Sequence, residues 1–301
     1  MFGFRDIVLL VVIYSSMGTG IFFSEATAPF RPYPLYCMML MLFLSFLPMK
    51  LGEVRRTLVS DRMEIAWLVF LKLVALPTLV YLVMLAVYPR YALAALLLTG
   101  ISTGVVAPFM SGIAGGYGPL VVIMVVVTSI AAPFTLPLLL KILAGRHFDL
   151  PLGPMVLLLA QVIFVPFIAV EALRKWAPAA IKRLNELRFP ISLVLFSLVN
   201  LGVFSRYGDF FRNSPMTVIE ATGVAVVIGV ACCVCGILCL PRKPTDHKIA
   251  AAVSFGNMNN VLIMVFAAEF FGPREPAVAA MYMIPFFALV VPLRFYRRLR
   301  S

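Results

Sequence analysis

The chain has 301 residues, 62% of them hydrophobic and 13% charged, with a mean hydropathy of +1.03. Soluble globular domains carry about 45–50% apolar and about 25% charged residues, so a soluble enzyme, a disordered chain and a secreted disulfide scaffold are excluded. The net charge of +12 then reads as a membrane-topology signal, not as a nucleic-acid footprint.

Taken in chain order, the apolar runs predict membrane-spanning helices over 7–24, 33–49, 64–88, 91–116, 119–143, 152–174, 187–205, 215–240, 247–271 and 276–296. At about 20 residues per crossing, ten spans fill the chain. Turn residues or charges separate them, as at 29–34, 50–62, 145–154, 175–188 and 241–247. The first run has little positive charge before it, which argues for a span and against a signal peptide. With ten spans both termini share a side. That side holds 17 of the 25 Lys and Arg residues, among them Lys50, Arg55 and Arg56. The other side holds 7, and Lys72 lies within a span. The bias places both termini in the cytoplasm of a cell (inner) membrane. The five cysteines are too few for a disulfide frame. Cys232, Cys233, Cys235 and Cys239 share one apolar run and read as packing residues, so no metal site is expected.

The halves 1–150 and 151–301 echo each other as two five-helix repeats. Pro34, Lys50, Glu53, Arg56 and Glu64 recur as Pro190, Arg206, Asp209, Arg212 and Glu220, each 156 residues on. Gly104 answers Gly256, and Gly118-Pro119 answers Gly272-Pro273, at offsets of 152 and 154. Five spans is an odd number, so the second half enters the membrane inverted, as in many secondary transporters. In such folds the site lies where paired helices are interrupted.

Two spans carry such interruptions near mid-depth. Span 4 holds Ser102-Thr103-Gly104 and then Pro108, and span 9 holds Ser254, Gly256, Asn257, Asn259 and Asn260. Glycine weakens a helix and proline removes a donor. Three asparagines in four residues are costly in hydrocarbon and become reasonable at unwound, protein-buried backbone facing a polar ligand. Thr103, Gly104, Pro108, Gly256, Asn257, Asn259 and Asn260 are therefore the expected substrate-binding residues. The asparagines also fit a plainer role as interhelical glue. Thr128 and Ser129 in span 5 add hydroxyls at mid-depth, either for an ion or back-bonded to their own helix. Lys72 lies about 12 Å from the cytoplasmic end of span 3. It either snorkels toward that end or faces the interior, attracting an anion or taking part in proton coupling. Thr128, Ser129, Ser254 and Lys72 are thus the candidate ion-coupling residues.

Leu71 to Pro77 in span 3, the span 4–5 block from Gly104 to Pro137 with its Pro133-Phe134-Thr135-Leu136-Pro137 ending, and Gly256-Asn257-Met258-Asn259 in span 9 together resemble the bile acid:sodium symporter family. The resemblance covers nearly the whole length. It implies an all-α membrane protein with ten transmembrane helices in two inverted five-helix repeats, a fold like that of sodium/proton antiporters. Discontinuous helices 4 and 9 would cross in a core domain beside a panel domain. It also implies alternating access, with substrate bound next to the crossing, and Na+ as the coupling ion.

The chain departs from that pattern at the ion ligands. Sodium-coupled members have a Ser-Asn pair where Ala107 and Pro108 stand, a Glu at Ser254 and a Gln at Met258. Asn259 keeps the following Asn. These departures argue against family-like sodium coupling. The expected function is secondary active transport of a small organic anion or amphipathic metabolite, with a small-molecule substrate, the lipid bilayer and no nucleic acid as partners. No cofactor is expected, and the protein would be a monomer or weak homo-oligomer. An arsenite-type efflux carrier of the same fold group is the alternative, but such carriers rely on a Cys in span 4 and a Glu in span 9, and neither is present. A membrane-embedded non-transport protein is the other alternative. A lipid enzyme would need a His, Cys or carboxylate cluster at one depth, and His147 and His247 stand alone in loops on opposite sides.

Overall fold

The computed structural model describes residues 4–48, 62–145 and 151–300. Lys50, Glu53, Arg55, Arg56, Arg146 and His147, used above in the charge count, the repeat and the search for a catalytic cluster, lie outside them. Among the described residues the regular structure is helical, apart from an isolated antiparallel bridge between Thr103 and Met258. In order come α1 (Phe4–Phe22), α2 (Pro34–Phe46), α3 (Arg62–Val87) and the half-helices α4a (Ala92–Gly100) and α4b (Ala107–Ala114). Then follow α5 (Gly118–Leu143), α6 (Leu152–Trp176), α7 (Pro178–Arg206) and α8 (Pro215–Leu238). The half-helices α9a (Thr245–Gly256) and α9b (Asn260–Phe270) precede α10 (Arg274–Arg300).

Helices α3, α5, α6, α7, α8 and α10 are each long and apolar enough to cross a bilayer. The chain is a multi-pass membrane protein. Helix α5 shows the sidedness this demands. Met124, Thr128, Ala132, Leu136 and Leu140 recur every four residues and are fully buried, while Ile130, Phe134, Leu138 and Ile142 form an exposed apolar stripe. Such a stripe suits lipid rather than water.

Two boundaries differ from the hydropathy reading. The segment 175–188, expected as a break, is helical from Pro178 onward. Pro178 starts the helix at a position where its missing N–H costs nothing, and Ala179, Ala180, Lys182 and Arg183 are good helix formers. Helix α10 is divided into three pieces, Arg274–Met281, Met283–Ala288 and Val290–Arg300. Pro285 and Pro292 each remove a helical donor there.

The chain forms two compact units, and they cut across the sequence halves. The first comprises 1–48 and 160–218, and the second 49–159 and 219–301. In the first unit α1 and α2 pack on α7 through small residues and polar contacts, as membrane helices commonly do. A Cβ at Gly20 would lie 2.9 Å from Phe204, and one at Gly202 would lie 2.6 Å from the Phe30 carbonyl. Asn200 donates to Ser16 Oγ at 3.0 Å. Arg31 and Arg174 hold backbone carbonyls of Ser205 and Phe46, each at 2.9 Å.

The second unit contains both interrupted helices. Every residue of α4a is buried, as are most of α9a and α9b. Irregular backbone at membrane depth is tolerated only under such cover. At one end of the unit Glu64 pairs with His247 at 2.9 Å and with Lys243 at 2.5 Å. His247 stacks on Tyr117, 4.6 Å between ring centroids. At the opposite end of α3, Glu220 accepts from Tyr91 at 2.9 Å and pairs with Arg90 at 3.2 Å.

Candidate functional site

The two interruptions meet. Gly100 ends α4a, Ile101 turns extended, and the chain resumes helix at Ala107. Likewise α9a ends at Gly256 and α9b starts at Asn260. The exposed backbone groups of each break pair with the other. Gly104 N–H donates to Asn257 O at 2.6 Å, and Asn259 N–H donates to Ser102 O at 3.0 Å. Buried backbone polar groups must find partners, and here each broken helix supplies the other's.

This pairing needs Gly104. A Cβ there would lie 2.8 Å from Met258 O and 3.0 Å from Asn257 O. Gly256 is different: a Cβ there would meet Cys233 Cβ at 3.5 Å, an ordinary contact. Pro108 does not kink a continuous helix. It sits in the first turn of α4b, where no intrahelical donor is lost.

Thr103 and Thr128 lock the crossing from the side. Thr128 Oγ1 donates to Met124 O at 2.5 Å and accepts the Thr103 N–H at 2.9 Å. Thr103 Oγ1 donates to Ser254 O at 2.9 Å. Both residues are fully buried. Thr128→Val keeps the shape but strands the Thr103 N–H, which should cost about 1–3 kcal/mol. Thermal unfolding of the purified protein checks this, with Thr128→Ser expected close to wild type. Equal midpoints for Val and Thr would refute the locking role.

The asparagines divide by partner. Asn257 Nδ2 donates to Phe286 O at 3.0 Å and Asn260 Nδ2 to Ala279 O at 3.4 Å, both on α10. These two tie helices together. Asn259 caps α9b, its Oδ1 accepting the Leu262 N–H at 3.3 Å, while its Nδ2 has no hydrogen-bond partner although the residue is 5% exposed. The hydroxyls of Ser102, Ser129 and Ser254 are also buried without partners. Four polar side chains with unmet hydrogen-bonding capacity thus gather on the crossing segments and on the helix that braces them.

Lys72 does not snorkel. It is fully buried, and its Nζ donates to Thr99 O at 2.9 Å, in the last turn of α4a. Its helix makes a π-turn there, Leu71–Ala75, just before Pro77, whose missing N–H disturbs the regular ladder. Tyr282 is a participant that the sequence reading omits. It is fully buried and its hydroxyl donates to Gly256 O at 2.5 Å. A buried phenol must find a partner, but nothing in the sequence pointed it at the end of α9a.

An all-helical, multi-pass membrane protein with two broken helices paired back to back at buried polar backbone belongs among membrane transporters. The family model described as the Sodium Bile acid symporter family matches residues 35–214, and the chain belongs to that family. Residues of α9a and α9b lie beyond the matched segment. A comparison with curated proteins returns no match.

Proposed function

We propose that this protein is a secondary active transporter moving a small organic anion or amphipathic metabolite by alternating access. The observation that carries the reading is the Asn259 amide. It is buried, it has an unused donor, and it stands at the start of α9b beside the paired breaks. Helix N-termini and amide donors favour anions. Thr103, Gly104, Pro108, Gly256, Asn257 and Asn260 complete the proposed substrate site, and the Gly104–Asn257 backbone bond lies at the same crossing. Family-type sodium coupling is not part of the proposal, because Ser254 supplies no negative charge at the crossing.

The ten-span inverted repeat belongs to the same reading, and one pairing supports it. Glu64 and Glu220 are 156 residues apart, and so are their partners Tyr91 and His247. The Glu64–His247 contact joins the start of α3 to that of α9a. The Glu220–Tyr91 contact joins the start of α8 to that of α4a, at the other end of the unit. An inverted repeat requires such a swap of ends. The two compact units support the division into panel (α1, α2, α6, α7) and core (α3–α5, α8–α10). A transport rather than a catalytic role fits His247, which is engaged by Glu64 and Tyr117.

The test is uptake of a panel of labelled small organic anions into proteoliposomes, with and without sodium and proton gradients. Saturable uptake that persists without sodium is expected. If no organic anion moves under any gradient, the reading fails.

A further inference from the structure

Each interrupted helix leaves a carbonyl end at the crossing, at the close of α4a and of α9a. The last four carbonyls of a helix lack intrahelical partners, and the helix dipole adds roughly half a negative charge there. Inside a membrane protein such an end attracts a cation, and the description of this family names sodium.

In this chain a side chain of the protein itself occupies a carbonyl at each of these ends. The Lys72 ammonium lies on Thr99 O at 2.9 Å, and the Tyr282 hydroxyl lies on Gly256 O at 2.5 Å. Three further carbonyls of the crossing segments are engaged too. Ser102 O and Asn257 O accept backbone N–H groups, and Ser254 O accepts Thr103 Oγ1.

Among the described residues Lys72 is also a charge without a counter-ion. No carboxylate among the described residues forms an ion pair with it. The neighbouring ionisable group on α8 is the Cys232 thiol. A buried ammonium is costly unless paired or hydrogen-bonded. What compensates it here is the carbonyl end of α4a, the same feature that would hold a free ion. The π-turn at Leu71–Ala75 is the local distortion that carries Lys72 on its helix, and such turns collect at functional sites.

We propose that the Lys72 ammonium is a tethered cation, occupying the carbonyl end of α4a in place of a soluble ion. The crossing then carries a positive charge of its own and binds no sodium. This deepens the transport reading and rests on it for its meaning in the cycle. The test measures ion binding alone, so its failure is separable from a failure of uptake.

Purified protein in detergent is unfolded thermally in sodium chloride and in choline chloride at equal ionic strength. The wild-type midpoint is expected to be the same in both. Lys72→Gln keeps most of the volume and offers a neutral amide oxygen. Its midpoint should fall by roughly 5–10 °C in choline, and sodium should restore most of that loss. Sodium-specific stabilisation of the wild type would overturn the proposal. So would a variant as stable as wild type in choline, or a weakened variant that sodium does not rescue. Equilibrium dialysis of the wild type against radioactive sodium needs no variant. No saturable retention is expected, and saturable retention would overturn the proposal even if Lys72→Gln failed to fold.

Discussion

Gly104→Ala is expected to remove about 2–6 kcal/mol of stability, while Gly256→Ala is expected to be close to neutral. The added methyl at 104 would lie 2.8 Å from Met258 O and 3.0 Å from Asn257 O. Both obstacles are backbone, so no side chain can swing aside. Relief requires the two breaks to separate. Separation costs the Gly104–Asn257 and Asn259–Ser102 bonds, in a place where water cannot replace them. Each of the two bonds left open costs about 1–3 kcal/mol. At Gly256 the nearest contact is 3.5 Å, and alanine recovers helix propensity at the end of α9a worth about 0.5–1 kcal/mol. Unfolding midpoints and the monodisperse fraction after solubilisation measure both variants. Equal losses at the two glycines would mean that the crossing is not held by this backbone pairing.

That contrast shows where the sequence was informative. The sequence pairs Gly104 with Gly256 across its two halves, and both lie at the interruptions, Gly104 within the first break and Gly256 as the last residue of α9a. Interruption is a local property, carried by glycine, by Pro108 and by polar residues in an apolar run. How closely another backbone approaches is a tertiary property, and it separates the two glycines. The same divide runs through the polar residues. Three asparagines in four positions pointed to unwound backbone. Only the packing of α10 shows that Asn257 and Asn260 are spent on carbonyls while Asn259 keeps a free donor.

Lys72 was conspicuous as a charge in an apolar span, yet its depth alone allowed an ammonium reaching for the interface. The π-turn and the open end of α4a decide its direction, and both depend on where helices break and meet. Tyr282 gave no signal, because a tyrosine in a membrane helix is unremarkable until its hydroxyl is placed on Gly256 O. The helix from Pro178 was missed for a different reason. Hydropathy detects the apolar part of a helix and is blind to a charged extension of good helix formers outside the lipid.

Asn259 allows the transport reading to be separated from a purely structural one, because its two side-chain atoms have different duties. Oδ1 caps α9b through the Leu262 N–H at 3.3 Å, and Nδ2 is unpartnered. Asn259→Asp retains a capping oxygen and places a negative charge at a helix N-terminus, where it is favoured by the dipole. Folding should therefore survive, although burial of the new charge offsets part of that gain. The donor is gone, and an anionic substrate now faces a carboxylate. Uptake of organic anions should fall at least about 100-fold, the loss of a charge-assisted bond together with repulsion. Asn259→Ser supplies a capping hydroxyl without the charge and should fold like wild type, with transport reduced by a smaller factor. Asn259→Ala loses the cap as well, at about 1 kcal/mol, and should also lose transport. A glue role would give the reverse pattern, with stability tracking the size of the side chain and transport indifferent to the amide. Comparing uptake rates with unfolding midpoints across the three variants decides between them. Normal uptake by a folded Asn259→Asp protein would remove the anion site from the crossing.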